Sequence, residues 1–169
     1  MASMIPTTTS FALAAATLAM AVPAGARTVN SWDVVPNQQT CTMISTFEDD
    51  VSIGLIWSPK TGELGFMATL PRPSGVGERP AAALALTFDG DAPLTDWEDQ
   101  HAAVVAGADS DAVIANWGAE HSAELAKTVG SAGHVVVRVG GRTVGRYDLS
   151  GSSAAYRELT HCGSQIASR

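Results

Sequence analysis

Residues 135–162 read VVVRVGGRTVGRYDLSGSSAAYRELTHC and carry the clearest structural pattern of the chain. Its first half places the valine-rich segment 135–139 and the segment 142–149 on either side of Gly140-Gly141. A glycine pair supplies the positive φ angles that a two-residue primed turn requires. The stretch therefore predicts a β-hairpin over residues 135–149.

A helix is predicted directly after this hairpin. One of the serines in Ser150-Gly151-Ser152-Ser153 provides the expected N-cap. The apolar residues that follow recur at spacings of four, three and four, which place them on one helix face: Ala155, Leu159, Cys162 and Ile166. We expect this face to pack against the sheet.

Cys41 and Cys162 are the two cysteines of the chain. Cys41 lies near the start of a predicted strand, where it could meet the apolar face of the last helix. We expect one disulfide between them, formed in an oxidising compartment; the alternative is two unpaired buried thiols. Their wide separation differs from the C-x-x-C spacing of redox-active pairs, so we expect a structural role.

Residues 1–26 predict an export signal. The apolar run 11–22 has the length of a signal hydrophobic region and is too short to cross a bilayer. Ala24-Gly25-Ala26 resembles a signal-peptidase site, although residues 1–10 lack the usual Lys or Arg. The alternative is a buried apolar helix. We expect a periplasmic or secreted protein of residues 27–169 that does not span the membrane.

Most of the mature chain shows the two-residue period of half-buried strands. The predicted strands cover residues 28–35 and 40–47 around a Pro36-Asn37 turn, a hairpin over 51–70, and residues 84–88 and 97–106. These elements predict one mainly β (α+β) domain over residues 27–169. It is β-sandwich-like, with a short middle helix and a C-terminal helix.

The middle helix is predicted from residues 109–128, which are richer in helix formers. Asp109 or Asp111 is a candidate N-cap for a first turn, and Gly118 is a candidate break between two short helices. The main helix is expected over residues 119–128 and to end near Gly130.

The C-terminal hairpin and helix resemble those of exported proteobacterial proteins similar to the invasion-associated locus B proteins. Their helix has the form Leu-x-Gly-x-x-x-Ala-x-x-x-Leu-x-x-Cys, which matches Leu149, Gly151, Ala155, Leu159 and Cys162. In them, as here, a Trp-Asp-Val sequence (Trp32-Asp33-Val34) lies shortly before the first cysteine. The resemblance implies a β-sandwich-like domain with peripheral helices, and it carries no catalytic residue across.

The charge distribution argues against nucleic acid as a partner. The chain has a formal net charge of −7, and fifteen acidic residues between Asp33 and Glu124 face three basic ones. A nucleic-acid phosphate backbone needs a basic face. The C-terminal arginines could meet an acidic partner or could simply be solvated.

An acidic cluster offers the most suggestive set of metal ligands. It comprises Asp89, Asp91, Asp96, Glu98, Asp99 and His101. Hard cations prefer converging oxygen ligands, but Asp89-Gly-Asp91 is also ordinary turn sequence and the EF-hand spacing is absent. The alternative is therefore a solvated acidic loop with no metal.

Other motifs yield no catalytic or cofactor site. Gly151-Ser152-Ser153 lacks the second glycine of the Gly-x-Ser-x-Gly elbow that holds a nucleophilic serine for acyl transfer. Gly75-Val-Gly77 does not lead into a helix, as a glycine-rich phosphate-binding loop would. His134 and His161 are expected at the surface. Trp97 and Trp117 lie in the least regular region and are candidates for an aromatic binding surface.

These observations predict a non-enzymatic module of the cell envelope that needs no cofactor and binds another envelope protein. Two alternatives stay open. One is a small periplasmic hydrolase that uses His101 and the acidic cluster. The other is a metal or small-ligand binder that uses residues 89–101.

Overall fold

The computed structural model describes residues 27–90 and 96–168. Within these ranges the strands are β1 (Arg27–Val29), β2 (Trp32–Pro36), β3 (Cys41–Thr46), β4 (Ser52–Ser58), β5 (Glu63–Pro71), β6 (Ala81–Phe88), β7 (Asp96–Ala106), β8 (Ser110–Asn116), β9 (His134–Val139) and β10 (Arg142–Asp148). The helices are α1 (Ser122–Ser131), which follows a 3₁₀ turn at Ala119–His121, and α2 (Ser152–Ala167). The predicted export signal, 1–26, lies outside the described residues.

The strands of the described ranges form one antiparallel sheet in the order β1-β2-β3-β4-β5-β8-β7-β6-β9-β10. Helix α2 packs against β2, β3 and β4, and α1 packs against β5 and α2. The fold is therefore mainly β with a middle and a C-terminal helix, which confirms the predicted fold class.

The two-residue period of the strands gives the sheet a buried inner face and a more exposed outer face. Inward residues of alternating positions are almost fully buried on every central strand, for example Met43, Ile53, Phe66, Val113 and Leu84. Each large aliphatic or aromatic side chain buried in this way contributes about 1.5–3 kcal/mol. Helix α2 covers this inner face at β2–β4 and α1 covers it at β5, so this part of the core lies between the helices and the sheet.

The two ends of the sheet come together. The Trp32 indole N–H on β2 donates to the carbonyl of Ser150, which follows β10, with an N–O distance of 3.1 Å. The Tyr147 hydroxyl on β10 donates to Asp49 in the β3–β4 loop at 3.0 Å. The sheet is therefore curved, because its last strand contacts elements that belong to its first strands.

The predicted disulfide is present between Cys41 on β3 and Cys162 on α2, with a Cα–Cα distance of 6.2 Å. The predicted apolar face of α2 is also confirmed: Ala155 and Leu159 are fully buried and Ile166 is nearly so. The bond therefore attaches the helix to the strand against which this face packs.

Three local predictions were wrong, and the first concerns residues 28–35. A single strand was expected there, but Asn30 (φ 47°) and Ser31 (φ 69°) turn the chain back between β1 and β2. Two consecutive positive φ angles are those of a primed two-residue hairpin turn.

The second correction concerns residues 110–116, which form strand β8 instead of the first turn of a helix. Asp111 is not a cap: it points inward, is 1% exposed, and accepts hydrogen bonds from Arg72 Nε (2.9 Å) and the Ser74 hydroxyl. Asp109 lies in the β7–β8 connection, where its carbonyl accepts from the Arg72 backbone N–H at 3.1 Å. Helix α1 begins later, at Ser122, and Gly118 precedes the 3₁₀ turn.

The third correction concerns the start of α2. Its N-cap is Gly151, at φ 85°, and not a serine. A Cβ atom at Gly151 would lie 2.5 Å from the Asn30 Cβ, so the β1–β2 turn excludes a side chain there. The Ser152 and Ser153 hydroxyls instead donate to the carbonyls of Val129 and Gly130 in the last turns of α1.

Candidate functional groove

A groove of about 1090 Å³ opens where the two ends of the sheet meet. Its walls are the β1–β2 turn, the end of β3 with the loop that follows it, and the last residues of β10. Its lining consists of Asn30, Ser31, Trp32, Ser45, Thr46, Phe47, Glu48, Asp49, His134, Arg146, Tyr147, Asp148, Ser150 and Gly151. Ligand pockets commonly enclose about 300–1,000 Å³, so the groove has room for an extended ligand.

Three aromatic side chains, Trp32, Phe47 and Tyr147, form the floor of the groove and are held by a ring contact and hydrogen bonds. The rings of Phe47 and Tyr147 lie 4.7 Å apart between centroids. Tyr147 is 3% exposed and donates its hydroxyl to Asp49, while Trp32 is bonded to the Ser150 carbonyl. Burial, followed by the bond to Asp49, raises the pKa of Tyr147 above its ordinary value. The phenol therefore stays neutral and fixes the loop to β10.

His134 and Arg146 share one carboxylate at the edge of the groove. Asp89 accepts from the His134 backbone N–H (2.7 Å) and from Arg146 (2.8 Å), and its Oδ2 lies 3.1 Å from His134 Nδ1. The backbone bond from His134, and then the bond from Arg146, lower the pKa of Asp89. The carboxylate orients the imidazole, and among the described residues Nε2 has no hydrogen-bond partner.

A second carboxylate, Asp148, lies at the end of β10. Its Oδ1 accepts from the Ser150 hydroxyl at 2.7 Å and from the Ser150 backbone N–H at 2.8 Å. These two bonds lower the pKa of Asp148, so it is ionised at neutral pH. Together with Glu48 and Asp49 it gives the groove an acidic rim, whereas Arg146 is already paired with Asp89.

The backbone around the groove adopts an uncommon conformation. Asn30, Ser31 and Asp50 are the non-glycine residues with positive φ in the described ranges. Asn30 and Ser31 line the groove, and Asp50 directly follows the lining residue Asp49. Such conformations cost free energy and persist where surrounding contacts hold them, often at functional sites. The contacts that hold the turn include the bond from the Ser45 hydroxyl to the Ser31 carbonyl at 3.0 Å.

The free edge of β10 faces this groove. The Leu149 N–H donates to the Gly133 carbonyl at 2.9 Å, and Tyr147 is paired with Val135 in the same register. In an antiparallel pair the direction of the backbone groups alternates along the strand. The N–H and C=O groups of Arg146 and Asp148 therefore point away from β9, toward the groove.

The predicted acidic cluster is only partly brought to this site. Asp89 lies beside the groove, and Asp91 lies outside the described residues. Asp96, Asp99 and His101 lie on β7, where Asp99 accepts from the His101 backbone N–H at 2.8 Å. Within the described ranges, no three His, Cys, Asp or Glu side chains converge as metal ligands.

The two candidate tryptophans pack against each other instead of lining the groove. Trp97 is 3% exposed and contacts Trp117 edge-on, with ring centroids 5.1 Å apart. The Trp117 indole N–H donates to the Glu98 carbonyl at 2.8 Å. Trp97 is therefore a core residue, and only the partly exposed Trp117 could contact a ligand.

Sequence reasoning missed most of the groove because four distant segments build it. His134 was noted only as a surface residue, and the roles of Asp49, Tyr147 and Asp148 carry no local signature. The two adjacent residues Asn30-Ser31 were the available signal, since Asn and Ser often occupy turns.

Comparison with protein-family models, with curated protein sequences and with solved structures finds no match. In the described part of the chain, neither helix is long and apolar enough to span a membrane.

Proposed function

We propose that this chain is an exported, non-enzymatic module of the cell envelope that binds an extended segment of another protein in the groove. The segment adds a strand to β10. The observation that carries this proposal is the open edge of Arg146 and Asp148, whose backbone groups face a groove with an aromatic floor.

The geometry of β10 supports strand addition at its C-terminal half in particular. A register shift between Thr143 and Gly145 makes the first half of the strand irregular. Bulges of this kind protect sheet edges against pairing. Residues 146–148 are regular and open, and an added peptide can bond to their main chain while its side chains contact the groove walls.

The charge of the groove defines the chemistry of the ligand. Glu48, Asp49 and Asp148 line it, and the single lining arginine is neutralised by Asp89. We therefore expect a segment with a basic side chain to bind more tightly than an acidic one, because complementary charges favour association.

The resemblance of residues 135–162 to exported proteobacterial proteins supports the proposed location. The support is the matched pattern that ends at Cys162, together with the apolar run at 11–22 and the single cysteine pair. The location and the family relationship are part of the proposal.

A hydrolase is the second candidate, and His134 suits it better than His101 does. Asp89 bonds His134 Nδ1, so the imidazole has the orientation of a general base with Nε2 directed elsewhere. A His134→Ala variant that lost turnover of ester or peptide substrates would establish this alternative. The strand-addition proposal expects no turnover in either protein.

The proposal is tested with labelled heptapeptides of alternating threonine and valine that carry a central Lys, Gln or Glu. Fluorescence anisotropy measures binding to the oxidised protein, and NMR amide shifts locate it. We expect the Lys peptide to bind with the largest shifts at Arg146 and Asp148. The absence of binding by all three peptides, or shifts elsewhere, would contradict the proposal.

A matched pair of variants separates the main chain from the side chain. Asp148→Pro removes the N–H that faces the groove but no bond to β9, whereas Asp148→Ala keeps that N–H. We expect the Gln peptide to bind Asp148→Ala and not Asp148→Pro. Equal binding by both variants would show that β10 does not pair with the peptide.

A further inference from the structure

A cleft of about 560 Å³ lies between helices α1 and α2. It shares no lining residue with the groove beside β10. The helices meet beside this cleft, where the Ser153 hydroxyl of α2 donates to the Gly130 carbonyl of α1 at 2.6 Å. Ligand pockets commonly enclose about 300–1,000 Å³, so the cleft has the size of a site for a small molecule.

Much of the lining is apolar. Ala123, Ala126 and Gly130 line the α1 side, and none of them carries a side chain larger than a methyl group. Tyr156 lines the α2 side and is half-buried. Burial raises the pKa of Tyr156, so its phenol is neutral at physiological pH and adds no negative charge. The α1 wall from Ala123 to Gly130 is about 10 Å long, which suits a short apolar body.

The charged residues that line the cleft are both cations, Lys127 on α1 and Arg157 on α2. Within the part of the chain that the structure describes, neither side chain has an ion-pair or hydrogen-bond partner. Glu124, one turn before Lys127, lies 3.9 Å from His121 Nδ1 instead. The cleft is therefore positive, although the chain has a formal net charge of −7.

The two cations lie at comparable distances from the contact between the helices. Lys127 precedes Gly130 by three residues and Arg157 follows Ser153 by four, so each is about one helical turn from the hydrogen bond that joins Ser153 to Gly130. Like charges on facing walls repel each other, and an anion between them removes this repulsion. The arrangement therefore favours an anionic group between the helices.

The remaining donors of the cleft fit a carboxylate better than a phosphate. Two serines also line it, but their hydroxyls already donate: Ser131 to the Lys127 carbonyl at 2.8 Å, and Ser153 to Gly130. The free donors are the Lys127 ammonium, the Arg157 guanidinium and the Tyr156 hydroxyl. A guanidinium fork matches the two oxygens of a carboxylate, whereas a phosphate presents further oxygens that need donors.

From these observations we infer that the cleft between α1 and α2 binds a small organic carboxylate with an apolar body, of the kind represented by a short fatty acid. The carboxylate lies between Lys127 and Arg157. The apolar body lies along Ala123, Ala126 and the Tyr156 ring. This site goes beyond the proposed strand addition at β10 and does not depend on it.

Four probes with one alkyl chain and different head groups test the inference: octanoate, octanol, octylammonium and octyl phosphate. Isothermal titration calorimetry of the oxidised protein measures affinity, and NMR amide shifts locate binding. We expect octanoate to bind at least about ten-fold more tightly than octanol or octylammonium, with the largest shifts in α1 and α2. Tighter binding of octyl phosphate than of octanoate would overturn the assignment of a carboxylate.

Matched variants separate the charge of the cleft from its shape. Lys127→Gln and Arg157→Gln should each weaken octanoate about five-fold or more, whereas Arg138→Gln, which removes an exposed cation of β9, should not. Ala123→Leu should block the apolar wall, and Ala123→Ser should leave it open. The melting temperature of each variant verifies that it is folded.

Three results would overturn the inference. One is the absence of octanoate binding to the wild type. The second is equal affinity for octanoate, octanol and octylammonium, which would indicate adsorption of the alkyl chain alone. The third is a folded Lys127→Gln/Arg157→Gln double variant that binds octanoate as the wild type does.

Discussion

Removal of the disulfide should destabilise the fold by an amount that the position of its two cysteines determines. Cys41 and Cys162 are 121 residues apart, so the bond closes almost the whole domain into a loop. The chain-entropy relation for a loop of this length gives about 5 kcal/mol of stabilisation at 25 °C, by restriction of the unfolded state. For a domain of about 140 residues this corresponds to a fall of about 15 °C in Tm.

The measurement compares guanidinium unfolding of the oxidised protein, the reduced protein and a Cys41→Ala/Cys162→Ala variant. Reduction and the double substitution should lower the free energy of unfolding similarly, with a small extra cost for the variant because the Cys41 side chain is fully buried. The reductant should have no effect on the double variant, which serves as the control. A loss below about 1.5 kcal/mol would refute the loop-closure reasoning.

Three further predictions concern single residues. Asp111→Asn should lower the Tm at pH 7 and have a smaller effect at pH 3. The pKa of Asp111 is lowered in the folded state, so its carboxylate stabilises the wild type above about pH 4. That stabilisation is lost as the pH falls through the lowered pKa. Gly163→Ala should cost about 1–3 kcal/mol in a urea titration, since the new Cβ would lie 2.5 Å from the Trp57 ring, whereas the exposed Ser164→Ala control should change little. Tyr147→Phe should lower the free energy of unfolding by about 1 kcal/mol near pH 8. It should also reduce the loss of Tm above pH 10, because the raised pKa of the phenol makes the wild-type fold less stable as the pH rises. The same dependence of Tm on alkaline pH in both proteins would contradict this assignment.

The elements that the sequence predicts well are those whose signals are local. Gly140-Gly141 adopts φ angles of 58° and 79°, as a primed turn requires, and the strands on either side follow from it. The hairpin over 51–70 and the apolar face of α2 likewise depend on periodicity within one segment. In each case the packing that completes the element agrees with its own sequence pattern.

The elements that were missed depend on distant contacts. Residues 110–116 resemble a helix start in composition, but β5 and β7 flank them in the sheet and Asp111 is buried against Arg72 and Ser74. Propensity was overridden by tertiary contacts at this position. Similarly, no local pattern indicates that Asn30 excludes a side chain at Gly151.

The candidate groove lies in this second category. Its residues come from the β1–β2 turn, the β3–β4 loop, the start of β9 and the end of β10, which are adjacent only because the sheet curves. The charge count predicted an acidic surface, but it did not show that Arg146 is paired with Asp89 and that Asp148 is held by Ser150. The sequence therefore predicts the strands and helices more completely than it predicts the residues of the groove.

The covalent link between Cys41 and Cys162 also determines how the domain responds to mechanical load. A force applied to both ends of the chain passes through the sulfur–sulfur bond, so the residues between the cysteines are shielded from it. Only residues 27–40 and 163–168 can be pulled out, a length of about 70 Å, whereas the unbridged domain would extend by about 490 Å. A domain tethered at both ends would therefore keep its sheet, from β3 onward, intact under tension.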